Sequence, residues 1–138
     1  MRTPVGRFRI AEKIGAGNPT KTAYKNRKPV RASAKTLQAG DLVMSRILWL
    51  DGIEPGNANT FERYIYIHGT PEERNIGRPA SYGCVRMRSS DVIGLYDIIG
   101  QGARVSIVNT PLAAEVPALA PPAAQVALAE PADGASAR

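Results

Sequence analysis

Arg63-Tyr64-Ile65-Tyr66-Ile67-His68-Gly69-Thr70-Pro71 is the stretch on which the reading of this chain turns. Aromatic and β-branched residues fill it up to His68, a composition that predicts a strand. With a side-chain period of two, Tyr64, Tyr66 and His68 share one face and Ile65 and Ile67 the other. Gly69-Thr70-Pro71 ends the run. The histidine therefore stands at a strand terminus, where its side chain can enter a cleft while its backbone is held.

Further on comes Ser81-Tyr82-Gly83-Cys84-Val85-Arg86-Met87, whose Cys84 lies sixteen positions after His68. His68 and Cys84 are the only histidine and the only cysteine among 138 residues. A thiol is a weak nucleophile until it loses its proton, and an imidazole can take that proton. The pair is therefore a candidate nucleophile and base if the fold unites them. The alternative is a buried structural cysteine beside an unrelated histidine, since free cysteine usually behaves as a small hydrophobe. Gly83 permits tight backbone geometry and close approach of a substrate. The consecutive amides of Tyr82, Gly83 and Cys84 can converge on an oxyanion. Ser81 can pin the loop or touch substrate, and Arg86 offers a planar cation suited to a carboxylate or to carbonyls. Taken singly, Ser81 and Gly83 read equally well as turn residues and Arg86 as a surface charge.

Outward from this pair, Arg7 to Ile14 alternates, with Phe8 and Ile10 opposite Arg7 and Arg9, and predicts a half-buried strand. Gly15 to Arg31 reads as a long, polar, Lys-rich connection or flap. Asp41 to Leu50 predicts another strand, Gly52 to Thr60 a turn region, and Ala103 to Val108 a last strand. Ser89-Ser90-Asp91 is a helix start with capping side chains. Val92, Ile93, Tyr96 and Ile99 then recur near helical spacing, and Gly100 follows as a stop. The fold class expected is mainly β, a sandwich or curled mixed sheet with one face closed by a short helix.

Residues 1–108 form one expected domain, large enough for a modest core. From 109 to 138 the chain turns Ala- and Pro-rich without aromatics, which predicts a disordered tail. No apolar run approaches the roughly 20 residues of a membrane-spanning helix, and Met1-Arg2-Thr3-Pro4 opens no signal peptide. One cysteine excludes an internal disulfide. One cysteine and one histidine fall short of a closed metal site, and no cofactor is expected. The formal charge of +6 favours a polyanionic partner. The basic residues are scattered and accompany no nucleic-acid signature, so a nucleic-acid partner is not expected.

Ile67-His68-Gly69-Thr70 with Ser81-Tyr82-Gly83-Cys84-Val85-Arg86-Met87 resembles the signature of the L,D-transpeptidases, the YkuD-type catalytic domain. That signature is a His-Gly pair, a short loop, and Ser/Thr-x-Gly-Cys-hydrophobic-Arg. Thr3-Pro4-Val5-Gly6-Arg7-Phe8 is similar to the family's TPxGxF segment. Ser45 to Gly52, Gly56 to Thr60 and Arg88 to Val108 resemble family members too, so that likeness runs over residues 2–108. Tyr82 stands where many members carry a second histidine, and no role of that side chain passes to it. The resemblance also implies one or two strands ahead of TPxGxF.

What the resemblance implies for function is a cysteine acyltransferase in the periplasm or cell envelope. It would act on peptidoglycan stem peptides through a Cys84 thioester. His68 would be the base and the Gly69 carbonyl would orient it. The amides of Tyr82 to Cys84 would face the oxyanion, with Ser81 and Arg86 shaping the loop or binding substrate. The acceptor would be an amine on another stem or on a lipoprotein. The alternatives are transfer to water, giving an L,D-carboxypeptidase-type hydrolase, a non-catalytic wall-binding module, and a truncated fragment. The sequence fixes neither the acceptor nor the oligomeric state.

Overall fold

The computed structural model describes residues 2–31, 42–78 and 83–111. Seven strands and one α-helix lie among them: β1 (Gly6–Ile14), β2 (Ala23–Lys25), β3 (Lys28–Val30), β4 (Val43–Gly52), β5 (Tyr66–Gly69), β6 (Val85–Met87), α1 (Ser89–Ile98) and β7 (Arg104–Ile107). Short 3-10 turns occupy Pro55–Asn57 and Glu73–Asn75. The expected tail lies, over residues 112–138, outside the described residues, as do Ser81 and Tyr82.

The strands form one mixed sheet that does not close into a barrel. Its main path is β3-β2-β4-β1-β7, and β5 branches from β4 and carries β6. All pairings are antiparallel except β5 with β6. The mainly β class with one helix is therefore what the sequence predicts. Phe8 and Ile10 are fully buried, as the alternation requires, and join Leu48, Leu50, Ile65, Ile67, Val92 and Tyr96 in the core between sheet and helix. On the other face Tyr24, Ile47, Trp49 and Tyr66 form a second cluster, against which Cys84 packs. No described helix is long and apolar enough to cross a membrane.

Two stretches far apart in sequence make one knot at the start of β1. Gly6 has φ +116° and abuts the Glu54 carboxylate and the Asn57 amide, where no side chain would fit. Glu54 Oε1 accepts the Arg7 amide (2.6 Å). Asn57 Nδ2 donates to the Arg7 carbonyl (3.0 Å), and Asn57 Oδ1 accepts the Glu54 amide (2.9 Å). These bonds, with the Ile53 amide donating to the same Arg7 carbonyl (3.1 Å), tie the start of β1 to the turn after β4.

Several local expectations are corrected. The strand before His68 begins only at Tyr66. Tyr64 has φ +57° and closes a turn, so it does not extend the Tyr66–His68 face. Residues 15–31 are not one irregular connection. They contain the β2–β3 hairpin, whose two-residue turn Asn26-Arg27 has positive φ at both positions (50° and 66°), the conformation that follows the strand twist. A short strand, β6, follows Cys84 directly. The Ser89 side chain does not cap α1. Arg88 is the N-cap, and the Ser89 amide is held by Glu73 Oε2 (2.9 Å). The helix does stop just before Gly100, as expected, but that glycine does not take the positive φ of a glycine cap. Ile99 leaves the helix in an extended conformation, and Lys13 Nζ donates to the Tyr96 and Ile99 carbonyls (2.7 Å each).

Candidate active site

The parallel pairing of β5 and β6 unites the two residues that the sequence singles out. Its register sets Ile67 beside Val85, His68 beside Arg86 and Gly69 beside Met87. One step back, Cys84 falls beside Tyr66, and both pack into the same apolar cluster. Because side chains alternate, Tyr66, His68, Cys84 and Arg86 share one face of this strand pair, with Cys84 and His68 on its diagonal. Ile67, Val85 and Met87 point to the helix-covered core instead.

His68 is 1 % exposed and pairs with Ile47 of β4 on its other side. Its Nδ1 lies 2.6 Å from the Gly69 carbonyl. A carbonyl only accepts, so Nδ1 carries the proton and Nε2 holds the lone pair of the neutral ring. The sulfur of Cys84 is also held by backbone. The Tyr66 amide donates to Sγ and the thiol donates to the Tyr64 carbonyl, both at 3.4 Å.

Gly69 is required by space and Gly83 by its backbone conformation. A Cβ on Gly69 would lie 2.8 Å from the Met44 carbonyl oxygen and 2.9 Å from Ser45 Oγ. These atoms belong to a bulge in β4, where pairing with β5 slips between Met44 and Ile47. Ser45, at φ +74° and fully buried, is hydrogen-bonded through Oγ to the Thr20 carbonyl and to Ser89 Oγ. Arg46 is buried beside it, and its Nη1 donates to the carbonyls of Asn18 and Ser45. Gly83 has φ +123°, and a Cβ there would meet Ile65 Cδ1 at 2.9 Å.

A groove of about 340 Å³ lies beside the cysteine, walled by Tyr24, Val43, Ile47, Tyr64 and Tyr66, with Asn26 and Arg27 of the hairpin turn at its lip. Its aromatic floor continues into Trp49, which stacks on Phe61 (4.0 Å between ring centroids, 6° between planes). Arg27 Nη1 donates to Tyr66 Oη (3.1 Å), and its guanidinium lies over the rings of Trp49 (4.9 Å) and Tyr64 (5.0 Å). Burial pushes the Tyr66 phenol up, and the bond from Arg27 only partly opposes this. A second cavity of about 690 Å³ opens past Gly69, between Lys21, Thr70, Glu72, Arg74 and Ser89.

Of the residues named from sequence, His68, Gly69, Gly83, Cys84 and Arg86 gather on or next to the β5–β6 pair. Ser81 and Tyr82 fall outside the described residues. Sequence reading missed Arg27, the backbone of Tyr64 and Tyr66 on the sulfur, and the β4 bulge behind Gly69. Asn26-Arg27 between two short apolar-polar runs was the available sign of the hairpin. Nothing local marks the bulge.

Comparison with known proteins bears on the family of the chain. The family model described as the L,D-transpeptidase catalytic domain, YkuD, matches residues 1–107. Relatives named as L,D-transpeptidases include YqjB of Bacillus subtilis, 31% identical over 107 residues (78% of this chain, 52% of that protein). YkuD of the same organism is 49% identical over 41 residues (30% and 25%). YcfS of Escherichia coli is 39% identical over 46 residues (33% and 14%). The similarity to these relatives thus covers about half of their length or less. With more than three quarters of its residues matched by the family model, the chain belongs to the YkuD family of L,D-transpeptidase catalytic domains.

Proposed function

We propose that the chain is an L,D-transpeptidase of the cell envelope, acting on peptidoglycan stem peptides through a thioester on Cys84. The observation that supports this most is the β5–β6 register, with Cys84 and His68 on one face and His68 Nδ1 tied to the Gly69 carbonyl. In the first half-reaction His68 Nε2 takes the thiol proton and Sγ attacks the diamino acid's carbonyl carbon. The oxyanion is assigned to the amides of Gly83 and Cys84, each good donor being worth about 3 kcal/mol of barrier. The carbon–nitrogen bond then breaks, and D-alanine leaves with the proton from His68. In the second half-reaction an acceptor amine attacks the thioester, His68 removes its proton, and the carbon–sulfur bond breaks to restore the thiol. The acceptor is the amine of a second stem or of a lipoprotein.

The test is incubation with a tetrapeptide stem, followed by D-alanine release and intact mass of the protein. The expected result is a covalent acyl adduct and D-alanine release, both lost in Cys84→Ser. Release that survives Cys84→Ser in a folded protein overturns the assignment. Product analysis with and without an added amine separates transfer from hydrolysis to a tripeptide.

A further inference from the structure

Arg27 is the one cation that overhangs the groove beside Cys84, among the described residues that line it. The turn that carries it has little freedom. Asn26 and Arg27 both have positive φ, and Ala23–Lys25 is paired with Lys28–Val30 on one side and with the start of β4 on the other. The side chain lies across a shelf made by the Trp49 and Tyr64 rings and ends at Tyr66 Oη. Trp49 is itself held by Phe61, stacked on its ring, and by Tyr66, which meets it edge to face. A guanidinium has five donors. Here one of its nitrogens serves a phenol and its π face serves two rings. The ion pairs among the described residues are Arg7–Glu54 and Arg9–Asp51, and Arg27 is in neither.

This arrangement orients a cation that makes no close ion pair, although the Glu12 carboxylate acts on it from a distance. The phenol that it touches stays protonated, since burial raises its pKa. Apolar walls on Tyr24, Val43 and Ile47 leave the groove poor in competing charge. An aromatic shelf that fixes the guanidinium plane reduces the side-chain freedom lost when a ligand binds, and a planar fork suits a carboxylate in two-point contact. Tyr66 joins the two sites directly. Its phenol is the partner of Arg27, and its amide is the donor to Cys84 Sγ.

We propose that Arg27 is a specificity-determining residue that binds a free carboxylate on the donor peptide, close to the carbonyl that Cys84 attacks. The proposal rests on the transpeptidase reading for the identity of the peptide. It adds that a donor whose carboxylate is amidated is a poorer substrate, because a neutral carboxamide gives up the charge-assisted bond to the guanidinium.

The experiment has two arms. In the first, Cys84 of the full chain is alkylated with iodoacetate and with iodoacetamide, which displace iodide by the same route and differ in one negative charge. The ratio of the two rates is expected to fall about tenfold in Arg27→Gln, the low end for one charge-assisted hydrogen bond. Arg27→Lys keeps the charge but not the fork, and should recover part of the ratio, which separates lost charge from a disturbed hairpin. In the second arm, kcat/KM is compared for stem peptides with a free and an amidated diamino-acid carboxylate. Wild type should prefer the acid about tenfold, mainly through KM, and Arg27→Gln should lose that preference. Equal ratios in wild type and Arg27→Gln in both arms overturn the proposal, even in an active enzyme. A lower alkylation ratio with no turnover of either peptide refutes the transpeptidase reading while leaving Arg27 as a carboxylate site.

Discussion

Substituting Gly69 by alanine should disable the site from behind, without touching a reacting atom. The new Cβ would stand 2.8 Å from the Met44 carbonyl oxygen, 2.9 Å from Ser45 Oγ and 3.1 Å from Ser45 Cβ. Ordinary contact begins near 3.4 Å, so β5 must retreat from β4 by about half an ångström. None of the three atoms can yield easily. One is backbone, and Ser45 is fully buried with its hydroxyl hydrogen-bonded to Thr20 and Ser89. Overpacking of this kind costs about 1–3 kcal/mol. For a domain of this size that lowers Tm by about 4 °C or more for each kcal/mol. The same displacement drags the Gly69 carbonyl away from His68 Nδ1, now at 2.6 Å, and loosens the ring's orientation. With about a hundredfold lost per ångström of misplacement, a tenfold slower acylation of Cys84 is expected in the protein that remains folded. The assays are thermal unfolding and the rate of Cys84 alkylation at neutral pH, with Gly56→Ala as control. A Cβ on Gly56 meets nothing within 4 Å, and that variant should stay within about 0.5 kcal/mol of wild type. Gly69→Ala with wild-type Tm and wild-type thiol reactivity would refute both the clash and the role assigned to the carbonyl.

Two further outcomes follow from contacts away from the cysteine. Lys13→Met keeps the aliphatic stem but removes the ammonium that satisfies the Tyr96 and Ile99 carbonyls and lies 4.1 Å from the Tyr96 ring centroid. It should cost about 2 kcal/mol, read as a lower urea midpoint at unchanged slope, and an unmoved midpoint would show that Gly100 and solvent end the helix unaided. The Tyr66 phenol should titrate above its ordinary value of 10.0, because burial outweighs the hydrogen bond from Arg27. Since the folded-state pKa is the higher one, this stability is complete below the unfolded value and is lost as pH rises through the folded value. Tyr66→Phe should remove that alkaline loss, and the tyrosinate absorbance difference between the two proteins should appear later in wild type than in free tyrosine.

The elements that the sequence displayed are those whose reason is local. Phe8 and Ile10 alternate with Arg7 and Arg9, and β1 follows. Val92 and Tyr96 lie one helical turn apart, and both are buried on the sheet. What was hidden depends on partners distant in sequence. The Ser89 amide is capped by Glu73, and the last helical carbonyls are closed by Lys13. Tyr64 has the composition of a strand residue but adopts φ +57°, because the chain must turn before it can enter beside β4. Strand propensity describes a fit to a half-buried pleated surface, and an exposed Tyr64 at a turn has no such surface to fit.

The candidate site shows the same division. His68 and Cys84 were legible as chemistry because each residue type is unique in the chain. Their meeting depends on a parallel pairing of a four-residue strand with a three-residue one, and neither carries enough pattern to fix a register. The register is set from outside. The β4 bulge at Ser45 leaves room at Gly69 for a backbone and nothing more, which fixes how far β5 runs. Gly83, at φ +123° against Ile65, then brings β6 in at the depth where Cys84 meets the Tyr66 amide. The two glycines of the motif thus act as spacers on either side of one short strand. A larger residue at Gly69 would push β5 off β4 and move His68, and one at Gly83 would strain the turn that delivers Cys84, before either altered the chemistry of the pair.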